Sequence, residues 1–170
     1  MVTQQRIVLK WILYAVLALF ALLVQTCVLG SVTLLGAQFC LLPAAAACVA
    51  GREGRDNGAL FGLCCGVFWA LSGVRYGAIY ILAMTVAGAL CGLCCELWMR
   101  RSLASSVLLA FGMLLVCEGS VCGYLIATGV LPMLAISSIL LPTCLISLLF
   151  VPLLHFLAGA IAKIGGNYGA

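Results

Sequence analysis

The sequence predicts an all-α, polytopic integral membrane protein: a six-helix transmembrane bundle forming a single domain over residues 1–170. Three observations predict it. First, 66% of the 170 residues are hydrophobic and only 7% are charged, with a mean hydropathy of +1.34. A soluble domain is about a quarter charged, and eight basic with four acidic side chains cannot cover a soluble globule of this size. Second, the apolar residues fall in runs of membrane-crossing length, separated by charges and helix breakers. Third, the basic residues gather on alternate connections. Soluble fold classes, intrinsic disorder and nucleic-acid binding are excluded. At about 20 residues per crossing plus short loops, the chain accommodates six helices at most.

Span one is Trp11 to Leu29, preceded by Arg6 and Lys10. A signal peptide also begins with a basic region and an apolar one. Here Val24-Gln25-Thr26-Cys27 lacks the small-residue run of a lipoprotein site and the apolar run continues to Leu29, so an uncleaved first span is expected. Gly30-Ser31 turns the chain into span two, residues 32–50. The most hydrophilic stretch follows, a loop from Gly51 to Asn57 that carries Arg52, Glu53, Arg55 and Asp56. Span three covers 58–74, with Arg75 in the next turn, and span four covers 76–97, followed by Arg100 and Arg101. Span five, 103–130, is long enough to require tilt, and Pro132 closes it. Span six, 133–157, is interrupted by Pro142 and Pro152, and a Gly-rich tail from Gly159 carries Lys163.

With six spans, one side holds Arg6, Lys10, Arg52, Arg55, Arg100, Arg101 and Lys163, and the other holds only Arg75. By the positive-inside rule both termini are expected in the cytoplasm, and the expected location is a bacterial cytoplasmic membrane.

The residue-level chemistry is sparse. Most of the eleven cysteines lie inside apolar runs, where Cys behaves as a small hydrophobe. Cys91, Cys94 and Cys95 share a helix face, but no His lies near them and zinc ligands are usually spaced across loops. No Ser-His-Asp pattern, paired carboxylate or nucleotide loop occurs, so no enzyme activity, cofactor or metal is expected. Small residues form stripes instead. Gly58, Gly62, Gly66 and Ala70 recur every fourth residue in span three, Gly88 and Gly92 in span four, and Gly119 and Gly123 in span five. Such stripes let helix backbones approach closely in lipid, either within the bundle or against a partner's transmembrane helix; the spacing fits both. Glu118, mid-span, is costly in a bilayer and is expected to face inward, as a hydrogen-bond hub or a proton or substrate site. Its candidate partners are Gln25, Gln38, Tyr124 and the Arg75 end of span three. His155 is expected as an interfacial polar anchor near the end of span six.

The run Gly54-Arg55-Asp56-Asn57-Gly58-Ala59-Leu60-Phe61-Gly62-Leu63-Cys64-Cys65-Gly66 resembles the bacterial rod shape-determining protein MreD family. That family has a charged loop end, then a Gly-Ala-Leu-Phe-Gly-like run and a third glycine four residues on. Length, the basic start and the hydropathy profile are also similar. The family often carries an acid four positions after the third glycine, where this chain has Ala70, so that residue's role is not carried over. The resemblance implies a non-enzymatic membrane scaffold subunit of the cell-elongation and peptidoglycan-synthesis machinery. Its partners would be MreC, and with it the MreB filament system and the RodA–transpeptidase pair, within the lipid bilayer. It also implies a fold like the substrate-binding component of energy-coupling-factor vitamin transporters. That transport component is the alternative function, but its Ala-x-x-x-Ala docking signature is missing, because Ala15, Ala18 and Ala21 are spaced by three.

Overall fold

The computed structural model describes residues 2–28, 39–98, 102–129 and 135–164. Gln38, Arg100, Arg101, Pro132 and the Gly30-Ser31 turn lie outside them. The described residues form seven α-helices and one π-helical turn, with no strand among them. Helix α1 (Val2–Leu23) runs into the π turn Val24–Val28. Then come α2 (Leu41–Glu53), α3 (Arg55–Leu71), α4 (Gly77–Leu97), α5 (Leu103–Ala127), α6 (Ala135–Leu148) and α7 (Val151–Ile164).

Helix α2 is the axis of the bundle. Every residue from Leu41 to Ala50 is buried, and α1, α3, α4, α5, α6 and α7 all pack on it. Ala44, Ala45, Ala46 and Ala47 are small enough to admit neighbours on every face. Pro43 is compatible because it sits in the first turn, where its missing N–H has no intrahelical role.

The outside is apolar too, but with larger side chains. Val16, Leu19, Phe20, Leu63, Leu71, Leu82, Leu90, Leu108, Leu145, Leu153 and Phe156 all point away from the bundle. Small residues inside and bulky aliphatic ones outside suit a lipid solvent. In water, so much exposed apolar surface would drive association. Residues Gln4–Cys27, Gly77–Leu97 and Leu103–Ala127 are long and apolar enough to cross a membrane. Residues Leu140–Leu148 and Val151–Ile164 pass that test only as a pair bent by 49°. The chain is therefore an all-helical membrane protein.

Several boundaries differ from the sequence reading. The stretch from Gly51 to Asn57 is a corner between two helices and not a loop: α2 continues through Arg52 and Glu53, and α3 starts at Arg55. Gly54 alone breaks the helix, with φ of 88°, a left-handed value that costs glycine little. Residues 32–38 of span two lie outside the described residues, and the rest of it falls in the 13-residue α2, about 20 Å long; span three becomes the 17 residues of α3. Pro142 stays inside α6, and the chain turns at Leu149 and Phe150 before α7. Pro152 then falls in the first turn of α7, which runs on to Ile164 and takes Gly159 and Lys163 out of the expected tail.

Candidate functional site

Three features are built on this frame: a glycine seam and a polar layer at each end of α2.

The seam joins α3 to α4, which pack antiparallel. A Cβ at Gly66 would stand 2.7 Å from Ile81 Cα, and one at Gly58 would stand 2.7 Å from the carbonyl of Gly88 and 2.8 Å from Ala50 Cβ. At Gly62 it would strike the carbonyl of Met84, at Gly88 that of Gly58, and at Gly92 that of Gly54. Gly77 closes the series on Ala70, at 2.7 Å from its Cβ. The stripe of Gly58, Gly62, Gly66 and Ala70 therefore meets Gly88, Gly92 and their neighbours inside the chain, and is covered. The third stripe behaves differently. A Cβ at Gly112, Gly119 or Gly123 on α5 meets nothing within 4 Å.

At the amino end of α2 the backbone donors are all accounted for. A helix start leaves its first N–H groups without partners, which is costly away from water. Here Gln25 Oε1 accepts from Leu41 N (2.9 Å) and Leu42 N (3.0 Å), Pro43 has no N–H, and Ser147 Oγ accepts from Cys40 N at 2.9 Å. The π turn after α1 carries Gln25, and such turns alter the direction of the side chains they hold. Glu118 joins this layer. Its carboxylate accepts from the Cys40 thiol at 3.1 Å and from the Tyr80 hydroxyl at 3.2 and 3.3 Å. Neither Gln25, Tyr124 nor the Arg75 turn supplies a partner, contrary to expectation. Gln25 is committed to α2, and Tyr124 packs its ring on Tyr76 with centroids 5.3 Å apart.

At the carboxyl end of α2 the charged residues assemble. Lys10 Nζ lies 2.6 Å from Glu53 Oε2, with Tyr14 donating to Oε1 at 2.8 Å. Glu96 Oε1 accepts from Arg55 N at 3.0 Å, in space that a side chain at Gly54 would fill. Arg52 Nη2 sits 3.1 Å from both Nε2 and the main-chain oxygen of His155, and His155 Nδ1 is 2.7 Å from Ser106 Oγ. An arginine only donates. His155 therefore accepts at Nε2, carries its proton on Nδ1 and donates to Ser106. His155 is a link between helices rather than a free interfacial anchor. Asp56 is exposed in the first turn of α3, where a negative charge suits the helix dipole.

Cys40, Cys48, Cys65, Cys91, Cys117 and Cys144 are buried, while Cys27, Cys64 and Cys94 are exposed, and all eleven cysteines are unbridged. Among the described residues no three metal-ligating side chains gather. The sequence reading missed Tyr14, Tyr80, Cys40, Ser106 and Ser147. Tyr14 carried the clearest signal, as a polar side chain in the middle of the apolar α1. The class of protein defined is an all-α membrane protein with a polar-pinned central helix. Comparison with known protein families, curated proteins and solved structures finds no match.

Proposed function

We propose that this chain is a non-enzymatic, MreD-like membrane scaffold subunit of the bacterial cell-elongation machinery. It would cross the cytoplasmic membrane six times, with both termini in the cytoplasm. Residues Gly54 to Gly66 support the assignment through their resemblance to MreD. The one-sided basic charge and the apolar exterior support the location.

The observation that carries the scaffold reading is the contrast between the glycine stripes. Those of α3 and α4 are consumed inside the chain, whereas Gly112, Gly119 and Gly123 on α5 face open space. Positions 112, 116, 119 and 123 share one helix face. Beside that face, between α4 and α5, lie two apolar hollows of about 210 and 300 Å³ that meet at Val116. A small-residue face next to an apolar groove admits another transmembrane helix at close range. The partner assigned to it is the membrane helix of MreC.

Co-purification from rod-shaped cells tests this. Gly119→Leu and Gly123→Leu should leave the protein folded, lose MreC and round up the cells. Capture of MreC at wild-type levels by both variants would refute the docking face. Tight vitamin binding by purified protein with no affinity for MreC would replace the scaffold reading with the transport one.

A further inference from the structure

His155 is the one histidine in the chain, and its ring joins α2, α5 and α7 in a form that only neutral imidazole can take. Nε2 faces Arg52 Nη2 at 3.1 Å, and Nδ1 faces Ser106 Oγ at 2.7 Å. A proton added at Nε2 removes the lone pair that receives the guanidinium. Two donors, both positively charged, then stand against each other, and like charges in contact repel far more strongly here than in bulk water.

No acid stands ready to offset the second charge. Of the helices packed on α7, α2 brings the thiol of Cys48, Arg52 and Glu53, and Glu53 is held by Lys10 and Tyr14 of α1. The remaining charge on α1 is another cation, Arg6. Residues 103–114 of α5, the part beside His155, have no ionisable side chain. Glu118 lies with Cys40 at the opposite end of α2. Among the described residues α6 brings only Cys144, and α7 itself adds Lys163. Glu96 is engaged by the amide of Arg55.

A proton can reach the ring, and the helix that carries it has a place to bend. His155 is part-buried, and Arg55 and Asp56 at the same end of α2 are exposed. Gly159, one turn beyond His155, also lies against the guanidinium, where a Cβ would stand 2.8 Å from Nη2. Arg52 is therefore flanked by α7 on two successive turns, and repulsion at His155 acts on the helix as a unit. The turn at Leu149 and Phe150 joins α7 to α6, and the two helices meet there at a bend of 49°.

We propose that His155 is a proton-operated latch. Its neutral ring clamps α7 to α2 and α5, and protonation releases α7 from Arg52 when the water at this end of the bundle turns acidic. The neutral ring is the bonded form, so the clamp is complete above the ordinary imidazole value of about 6.5 and is lost as the pH falls below it.

The test compares full-length protein in detergent micelles at about pH 7.5 and about pH 5.5, on either side of the imidazole range. Hydrogen exchange, corrected for its intrinsic pH dependence, should show Val151–Ile164 losing protection at the acid pH while α3 and α4 keep theirs. If the clamped ring admits no proton, opening of α7 becomes about tenfold more favourable over this interval. His155→Gln keeps a side-chain acceptor for Arg52 and cannot be protonated, so its exchange should be the same at both pH values. Arg52→Gln removes the like charge and should abolish most of the acid response. Where a variant does not fold, the wild-type exchange decides. Equal protection of Val151–Ile164 at both pH values in the wild type overturns the proposal. So does an undiminished acid response in folded His155→Gln.

Discussion

The glycine seam gives a prediction that can be worked through in numbers. Gly66→Ala adds one methyl group, whose carbon would lie 2.7 Å from Ile81 Cα. Carbon pairs rest at about 3.5–4.0 Å, so α3 and α4 must part by about 1 Å at this turn. The neighbouring contacts at Gly62 and Ala70 lie on the same seam and stretch with it. Overpacking of this kind costs about 1–3 kcal/mol. Alanine in place of a helical glycine returns about 0.5–1 kcal/mol, leaving a net loss of up to about 2.5 kcal/mol. Gly119→Ala is the control. It meets nothing within 4 Å, so only the helix-propensity gain of about 0.5–1 kcal/mol remains. Unfolding of both purified variants in mixed micles of rising denaturing-detergent fraction, followed by tryptophan fluorescence, reads the difference. Trp69 on α3 stacks against Tyr80 on α4, with centroids 5.5 Å apart, and reports this helix pair. A Gly66→Ala protein as stable as Gly119→Ala would refute the assignment of the seam.

Four other outcomes are expected. Gln25→Leu strips two amides of α2 of their acceptor and should cost about 2–4 kcal/mol in the same unfolding assay, at 1–2 kcal/mol per orphaned donor, while Gln25→Glu keeps most of the stability. Glu118→Gln retains the Oε1 acceptor used by Cys40 and Tyr80 and should change stability by less than about 1 kcal/mol, whereas Glu118→Leu leaves two donors unpaired and should cost about 2–4 kcal/mol by the same count. A double-mutant cycle of Lys10→Met with Glu53→Gln should give a coupling above the roughly 0.5 kcal/mol of an exposed pair, because the side chains are only 16% and 9% exposed. Reporter fusions after Arg55, Arg101 and Lys163 should be cytoplasmic and one after Arg75 external; an external signal after Arg101 would break the proposed six-span topology.

The helical class and most helix positions were legible because hydropathy and helix breakers are local signals. Spans three, four and five each correspond to a helix with shifted ends. The corner at Gly54 was less legible: a run of charged residues reads as a loop, yet Arg52, Glu53, Arg55 and Asp56 are compatible with helix once their charges reach partners or water. The glycine stripes could be found by their spacing but not assigned, since the same four-residue period serves Gly62 inside the bundle and Gly119 outside it. The partners of Glu118 were illegible for another reason. Cys40 and Tyr80 are 78 and 38 positions away in sequence, and a thiol in an apolar run carries no mark of a donor. Nor could any local pattern announce the link from Arg52 through His155 to Ser106, which joins three helices.

The cap on α2 bears on how the protein is made. Cys40 N–H is satisfied by a hydroxyl 107 residues further along the chain. When α1 and α2 leave the ribosome, Gln25 can already cover its two amides, but Ser147 has not yet been synthesised. An α2 formed before Ser147 is made therefore lacks one partner at its start, and that last donor is met only once α6 is packed beside it. A nascent chain halted before Ser147 carries an open amide at the heart of the bundle, a lesion that distinguishes unfinished copies from mature ones.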